Sequence, residues 1–217
     1  MTNFESDSAM PQHESTLATL LEKYRLPLSK LVVGIILALM LFTASRWQLS
    51  PLAIWAIDSV ALVLLLVACL GRVWCIMYIG GQKNTSVVTA GPYSVVRNPL
   101  YCFSFIGALG IVLMTHSITI AALLLVFFIG IYPFVVRKEE SNLRRLFGQP
   151  YDDYLATTPR FIPSPGQYST KSAVPADVPR LQRSLFDSGC FVLAFIALSG
   201  IRLAHETGLI PVLFQVP

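Results

Sequence analysis

Five apolar segments, near residues 28–45, 51–78, 100–114, 118–136 and 185–203, are separated by polar links too short to fold as domains of their own. About 20 consecutive apolar residues in a helix match the ~30 Å hydrocarbon core of a bilayer. Such segments dictate an all-α, multi-span membrane bundle, because a helix satisfies its backbone N–H and C=O groups without water. Charged residues make up 13% of the chain, about half the share of a soluble domain.

Residues 1–16 are polar and slightly acidic and lack the basic-then-apolar order of a signal peptide. Leu17, Leu20, Leu21 and Tyr24 then recur at helical spacing, which predicts a short helix along the membrane surface, ended by Pro27. Lys30, Arg46 and Trp47 flank the first span, 28–45, and suit the two interfaces. The brief link 46–50 makes the second span its antiparallel neighbour, opening at Pro51. That span outruns the bilayer core. It carries Asp58 about two turns from one end, either as a functional intramembrane carboxylate or paired with Arg46, and Arg72 near the other interface.

Residues 80–85 break the helix, and the apolar chain resumes over 100–114, turns at Thr115-His116-Ser117 and returns over 118–136. Gly107 and Gly110 offer flat surfaces for helix packing, and Pro133 predicts a kink before a charged block. Residues 137–163 read as a helix leaving the membrane, a Gly148-Gln149-Pro150 turn and a second short helix. The resulting division is a tail and interfacial helix (1–27), two spans (28–79), a core of two polar blocks around a hairpin (80–163), a linker (164–184) and a C-terminal apolar segment with its tail (185–217).

With the N-terminus inside, fourteen of the sixteen Lys and Arg residues fall on the cytoplasmic side, and only Arg46 and Arg202 fall outside. Both polar blocks are therefore expected to face the cytoplasm, from an inner or plasma membrane. The net charge of +4 bears on this orientation and does not suggest nucleic acid as a partner. Cys69, Cys75, Cys102 and Cys190 lie in or beside apolar segments without CxxC spacing, and His13, His116 and His205 lie far apart in sequence, so no metal site is expected.

The first block, GPYSVVRNPLY over 91–101, brings Tyr93, Arg97, Asn98 and Tyr101 to the mouth of the hairpin. An amide, a guanidinium and two phenols suit a polar ligand with a carboxylate and hydroxyls, or equally an interfacial turn anchored on lipid phosphate. The second block, RKEESNLRRLFGQPYDDYLATTPRFIP over 137–163, carries Glu139 and Glu140. Neighbours on a helix point about 100° apart, so these are not an acid/base dyad, and one can face inward while the other is solvated. Helical spacing also offers Glu140 surface ion pairs with Arg137 and Arg144.

Together the blocks resemble the isoprenylcysteine carboxyl methyltransferase family and its phospholipid-methyltransferase relatives. The likeness rests on GPY, an Arg-Asn-Pro-x-Tyr element where the family has Arg-His-Pro-x-Tyr, a membrane hairpin, Arg-x-x-Glu, Phe-Gly-x-x-Tyr-x-x-Tyr and a closing Pro-Arg-Phe-Ile-Pro. The resemblance implies a cytoplasm-facing pocket for S-adenosyl-L-methionine and a lipophilic small molecule or lipid as methyl acceptor. It implies that Tyr93, Arg97, Asn98, Pro99, Tyr101, Glu139 and Glu140 cradle the cofactor, and that Arg137 and Arg160 orient an anionic acceptor. Asn98 keeps a neutral hydrogen bond in the histidine's place but cannot titrate, so a general-base role there is not expected. Two other readings stay open at this stage: an NADPH-dependent membrane reductase of the sterol-reductase type, and a non-catalytic membrane scaffold.

Overall fold

The structure is a computed structural model that describes residues 39–46, 49–82 and 85–216. The predicted interfacial helix and most of the first span lie outside those residues. The span's end is described: residues 39–42 are helical, and Thr43–Ser45 then form a short strand, β1, that pairs in parallel with β2, Phe214–Val216. Helix thus stops before Ser45, and the Thr43 hydroxyl turns back to the Leu39 carbonyl at 2.5 Å.

Helix α1 spans Pro51–Ile79, with the Ser50 side chain capping the Ala53 N–H at 3.2 Å. One turn, α2 (Pro92–Val95), leads to α3 (Pro99–Met114), and Ser117 caps α4 (Ile118–Phe147), which continues unbroken through Pro133. Gly148, at φ 60°, separates α4 from α5 (Gln149–Thr157). The last helix, α6, runs Val178–Glu206 from an Asp177 cap, two turns earlier than hydropathy predicts, because its first turns are polar.

Helices α1, α4 and α6 are each long and apolar enough to cross a membrane, with α3 a shorter apolar helix. The chain is an integral membrane helical bundle. Helix α1 packs most extensively on α3 and next on α6. The close approach to α3 depends on Gly110, where a Cβ would fall 2.8 Å from Leu65 Cγ. Because α1 faces lipid on one side and helices on the other, its apolar residues run all round. Buried apolar residues gather at its two ends, Met40, Ala61, Met114, Ile120 and Leu198 at one and Cys75, Tyr78, Ala90 and Tyr93 at the other.

Residues 164–177 are a strap bonded to the first block, where composition suggests a surface linker. The Ser169 carbonyl accepts from the Gly91 N–H at 2.7 Å, the Ser169 N–H donates to Ser94 Oγ at 3.0 Å, and Tyr78 and Thr170 hydroxyls share a 2.7 Å hydrogen bond. Gly91 sits at φ 63°, and a Cβ there would lie 2.4 Å from Tyr78 Cζ. Gly91→Ala is therefore expected to cost about 3 kcal/mol, from strain and a clash that the packed ring cannot relieve. Gly130→Ala on α4 meets nothing within 4 Å and should be neutral or slightly stabilising. Thermal unfolding of both variants in detergent checks the contrast, and equal melting points would refute it.

Candidate functional site

The two polar blocks meet at the end of the bundle where α1 and α4 finish and α3 begins. Pro99 opens α3 and disfavours helical geometry at the preceding residue, so Asn98 is held at φ −121°, ψ 54°. The buried Asn98 amide turns inward, where Nδ2 donates to Glu140 Oε1 at 3.0 Å and to the Arg160 carbonyl at 3.3 Å.

Glu140 is the hub. Its side chain is 7% exposed, on the inward face of the last turns of α4. Arg160 engages it with both prongs, Nη2 to Oε2 at 2.6 Å and Nε to Oε1 at 3.2 Å, while Arg97 Nη1 lies 3.7 Å from Oε1. Two guanidiniums and an amide thus surround one buried carboxylate, and each guanidinium reaches it from a different block. Glu139, one residue away, points outward and accepts a short hydrogen bond from the Tyr101 hydroxyl.

The helix-local ion pairs expected of Glu140 are not made. Arg144 instead pairs with Asp152 on α5 at 2.6 Å, and Arg137 is exposed, outside the Glu140 cluster. The physical reason is burial: a carboxylate turned into the protein takes inward-facing partners, leaving arginines on its own helix to the surface. Of the residues singled out from sequence, Arg97, Asn98, Glu140 and Arg160 form one hydrogen-bonded cluster. Tyr101 and Glu139 form a second pair, Pro99 is the buried start of α3, and Tyr93 is buried at the junction of the blocks.

Backbone hydrogen bonds fix the blocks to each other. The Arg97 N–H donates to the Pro159 carbonyl at 2.8 Å, and the Ser164 N–H to the Val95 carbonyl at 2.9 Å. Tyr154 on α5 donates its hydroxyl to the Tyr93 carbonyl at 2.7 Å. Tyr154 and its neighbour Tyr151 were not singled out as site residues, although their i, i+3 spacing on one face of a short helix marks them. Burial pushes the Tyr151 phenol up to about 12, helped by Glu140 and opposed by Arg97, and burial likewise raises Tyr93 and Tyr154. All three remain neutral phenols at physiological pH, fit to donate hydrogen bonds but not to act as bases. Tyr132, also not singled out, meets the Tyr101 ring edge-on at 5.5 Å and stacks on Phe128 at 3.6 Å.

An open recess of about 580 Å³ adjoins the junction, lined by Thr89, Ser94, Asp153, Tyr154, Thr158 and Ser169 among others. None of Arg97, Asn98, Glu139, Glu140 or Arg160 lines it. Among the described residues, no group of three or more His, Cys, Asp or Glu side chains could hold a metal ion. What the cluster offers is an exposed carboxylate beside aromatic rings, an arginine 41% exposed at Arg160, and a rigid neutral amide behind them.

A phospholipid methyltransferase family profile matches residues 59–150, which take in the first block, the hairpin and the start of the second block. Two curated proteins are similar over nearly their whole length. The nickel-cobalt-cadmium resistance protein NccN of Alcaligenes xylosoxydans xylosoxydans is 35% identical over 203 residues, covering 94% of each chain. The cobalt-zinc-cadmium resistance protein CzcN of Cupriavidus metallidurans is 33% identical over 210 residues, covering 94% of this chain and 95% of the relative. No solved structure matches.

Proposed function

Because the chain belongs to the phospholipid methyltransferase family of membrane proteins, we propose that it transfers a methyl group from S-adenosyl-L-methionine to a lipophilic acceptor at the cytoplasmic membrane face. The observation that supports this reading most is the meeting of Arg97 and Asn98 with Glu140 and Arg160, residues of two blocks 42 or more positions apart, around one buried carboxylate. The residues fit a sulfonium-bearing nucleoside. Glu139 is an exposed carboxylate held by Tyr101, and the Tyr101 and Tyr132 rings beside it suit a cation.

When bound, S-adenosyl-L-methionine supplies an already activated methyl on a positively charged sulfur. The protein's part is then alignment and exclusion of water. In this reading Glu139, Tyr101 and Tyr93 form the cofactor's surroundings, and Pro99 sets the start of the helix that carries Tyr101. Glu140 and Asn98 hold the frame between the two blocks. Arg160 and the exposed Arg137 orient an anionic acceptor. The neutral phenols and Asn98 provide no base, which favours a carboxylate acceptor or one that loses its proton to solvent.

The two relatives carry names for nickel, cobalt, cadmium and zinc resistance. We extend to this chain a role in metal resistance exercised through methylation of a membrane component.

Calorimetry on detergent-purified protein is expected to detect S-adenosylhomocysteine binding. Glu139→Gln should weaken it about tenfold, the worth of one charge-assisted contact. Binding of NADPH without the thioether would replace this reading with the reductase one, and binding of neither would favour a scaffold. Labelled methyl incorporation into total lipid, from cells with and without the protein, would identify the acceptor.

A further inference from the structure

Residues 159–163 close the second motif block and tie it to both helices of the hairpin. Arg160 reaches Glu140 near the end of α4, and the next carbonyl, that of Phe161, accepts from Cys102 Sγ on α3 at 3.5 Å. The backbone is held on either side, by the Arg97 N–H on the Pro159 carbonyl and the Ser164 N–H on the Val95 carbonyl. Between these ties two large apolar side chains stand exposed, Phe161 at 42% and Ile162 at 82%.

What adjoins them follows from α3. Its 16 residues are about 24 Å long, less than the ~30 Å hydrocarbon core. Its first turn, which holds Cys102, therefore lies at the edge of the hydrocarbon. The face of α3 that carries Cys102 is turned away from its helix neighbours. Gly107 and Gly110 approach Ala68 and Leu65 of α1, while the Tyr101 ring meets Tyr132 of α4. Cys102, Ile106 and Leu109, at i, i+4 and i+7, lie between those two faces and are half-buried. The loop comes down on this outer face, at lipid depth, with the 41% exposed Arg160 beside it.

A guanidinium at the interface binds an oxyanion, and apolar side chains just below it bind hydrocarbon. We infer that Phe161 and Ile162 seat the hydrocarbon tail of an anionic amphiphile against the Cys102 face of α3, while Arg160 holds its head. That this molecule is the methyl acceptor rests on the methyl-transfer reading; the seat itself does not. Phe161 and Ile162 are then the residues that select a lipophilic acceptor over a water-soluble one.

Palmitic acid with a diazirine at mid-chain, photolysed with the full-length protein in phosphatidylcholine nanodiscs, tests this, with peptides read by mass spectrometry. Label on residues 159–163 and 102–109 is expected to fall more with added palmitate than with hexadecanol, which lacks the anion. Label at Val126, a lipid-facing residue of α4 that is 71% exposed, should fall alike with both. Ile162→Ser should weaken the palmitate competition about tenfold, the worth of one large aliphatic contact, and Ile162→Leu should keep it. The exposure of Ile162 leaves it little part in packing, and Phe161→Ser is the second variant. Equal competition by palmitate and hexadecanol at every labelled peptide would make the seat ordinary boundary lipid and overturn the inference. So would unweakened competition in both serine variants. S-adenosylhomocysteine calorimetry should be unchanged in Ile162→Ser; a loss there would trace the effect to the frame of the site and overturn the assignment. Selective label on a protein that binds no thioether would keep the seat and remove the methyl-transfer reading. Thioether binding without selective label would overturn the seat and leave that reading standing.

Discussion

Glu140→Ala is expected to abolish S-adenosylhomocysteine binding and to cost about 3 kcal/mol of stability, the lower end of what breaking a buried ion pair costs. The lower end applies because Arg160 remains 41% exposed, so water takes up part of its charge once the carboxylate is gone. Arg97 has no such relief. Its side chain is 15% exposed and its Nε is already buried without an acceptor, so it would be left as an uncompensated buried cation facing Arg160. Asn98 would keep only the Arg160 carbonyl as acceptor. Glu140→Gln, which retains an acceptor oxygen for Asn98 but not the charge, should fall between wild type and alanine in both measurements. Thermal unfolding and calorimetry in detergent read the two effects. An alanine variant that melts and binds as wild type does would remove Glu140 from the frame of the site.

The hairpin and the two blocks were legible in the sequence because their signals are local. Hydropathy located α3 and α4 to within a residue at their shared turn, Pro99 marked the start of α3, and Gly148 separated α4 from α5. Partner choice was legible only in part. Pro159, closing the second short helix at the same membrane face, set Arg160 near the inward carboxylate, as the 2.6 Å Arg160–Glu140 pair bears out. Arg97 and Asn98 were not foreseen as its partners. The rule of helical neighbours offered Glu140 the arginines of its own helix, Arg137 and Arg144. Its actual partners, Arg97, Asn98 and Arg160, come from 20 to 43 residues away and depend on which face of α4 turns inward. The strap over 164–177 was hidden for a related reason: a Pro- and Ser-rich stretch has the composition of a loose linker whether or not its backbone bonds to another segment. The start of α6 did leave a signal that hydropathy overlooks. Asp177, followed by a proline in the first turn, is a helix start, and the polar residues after it belong to a helix outside the hydrocarbon core.

At the end of the bundle opposite the motif blocks, Arg202→Ala is expected to destabilise the protein more than Asp58→Asn does. The structural reading of Asp58 on α1 had it hydrated at its interface or paired with Arg46, the nearest cation in sequence. It pairs instead with Arg202 on α6 at 2.5 Å, with its other oxygen 3.1 Å from His116 Nε2 but not aligned for a hydrogen bond. Helix packing decides this, since α6 lies alongside α1 and carries Arg202 to the same level. Removing Arg202 leaves a carboxylate inside a span with only a neutral imidazole beside it, whereas removing the charge of Asp58 leaves an arginine that can still reach Glu206 at 3.9 Å. A double-mutant cycle should return a coupling of about 2–3 kcal/mol, and one near zero would reduce the pair to a surface contact. Acid should act on the same cluster. Burial, reinforced by Arg202 and opposed by Asp58, holds the His116 imidazole below its ordinary 6.5, so the folded state carries fewer protons than the unfolded one just beneath that pH. Stability is then complete above about pH 6.5 and falls as pH drops from there towards the lowered folded value. Asp58→Asn removes the opposing charge, lowers the imidazole further and should widen the pH interval over which stability is lost. A melting point independent of pH between 7 and 5, as measurable in detergent, would show that His116 does not titrate in the cluster.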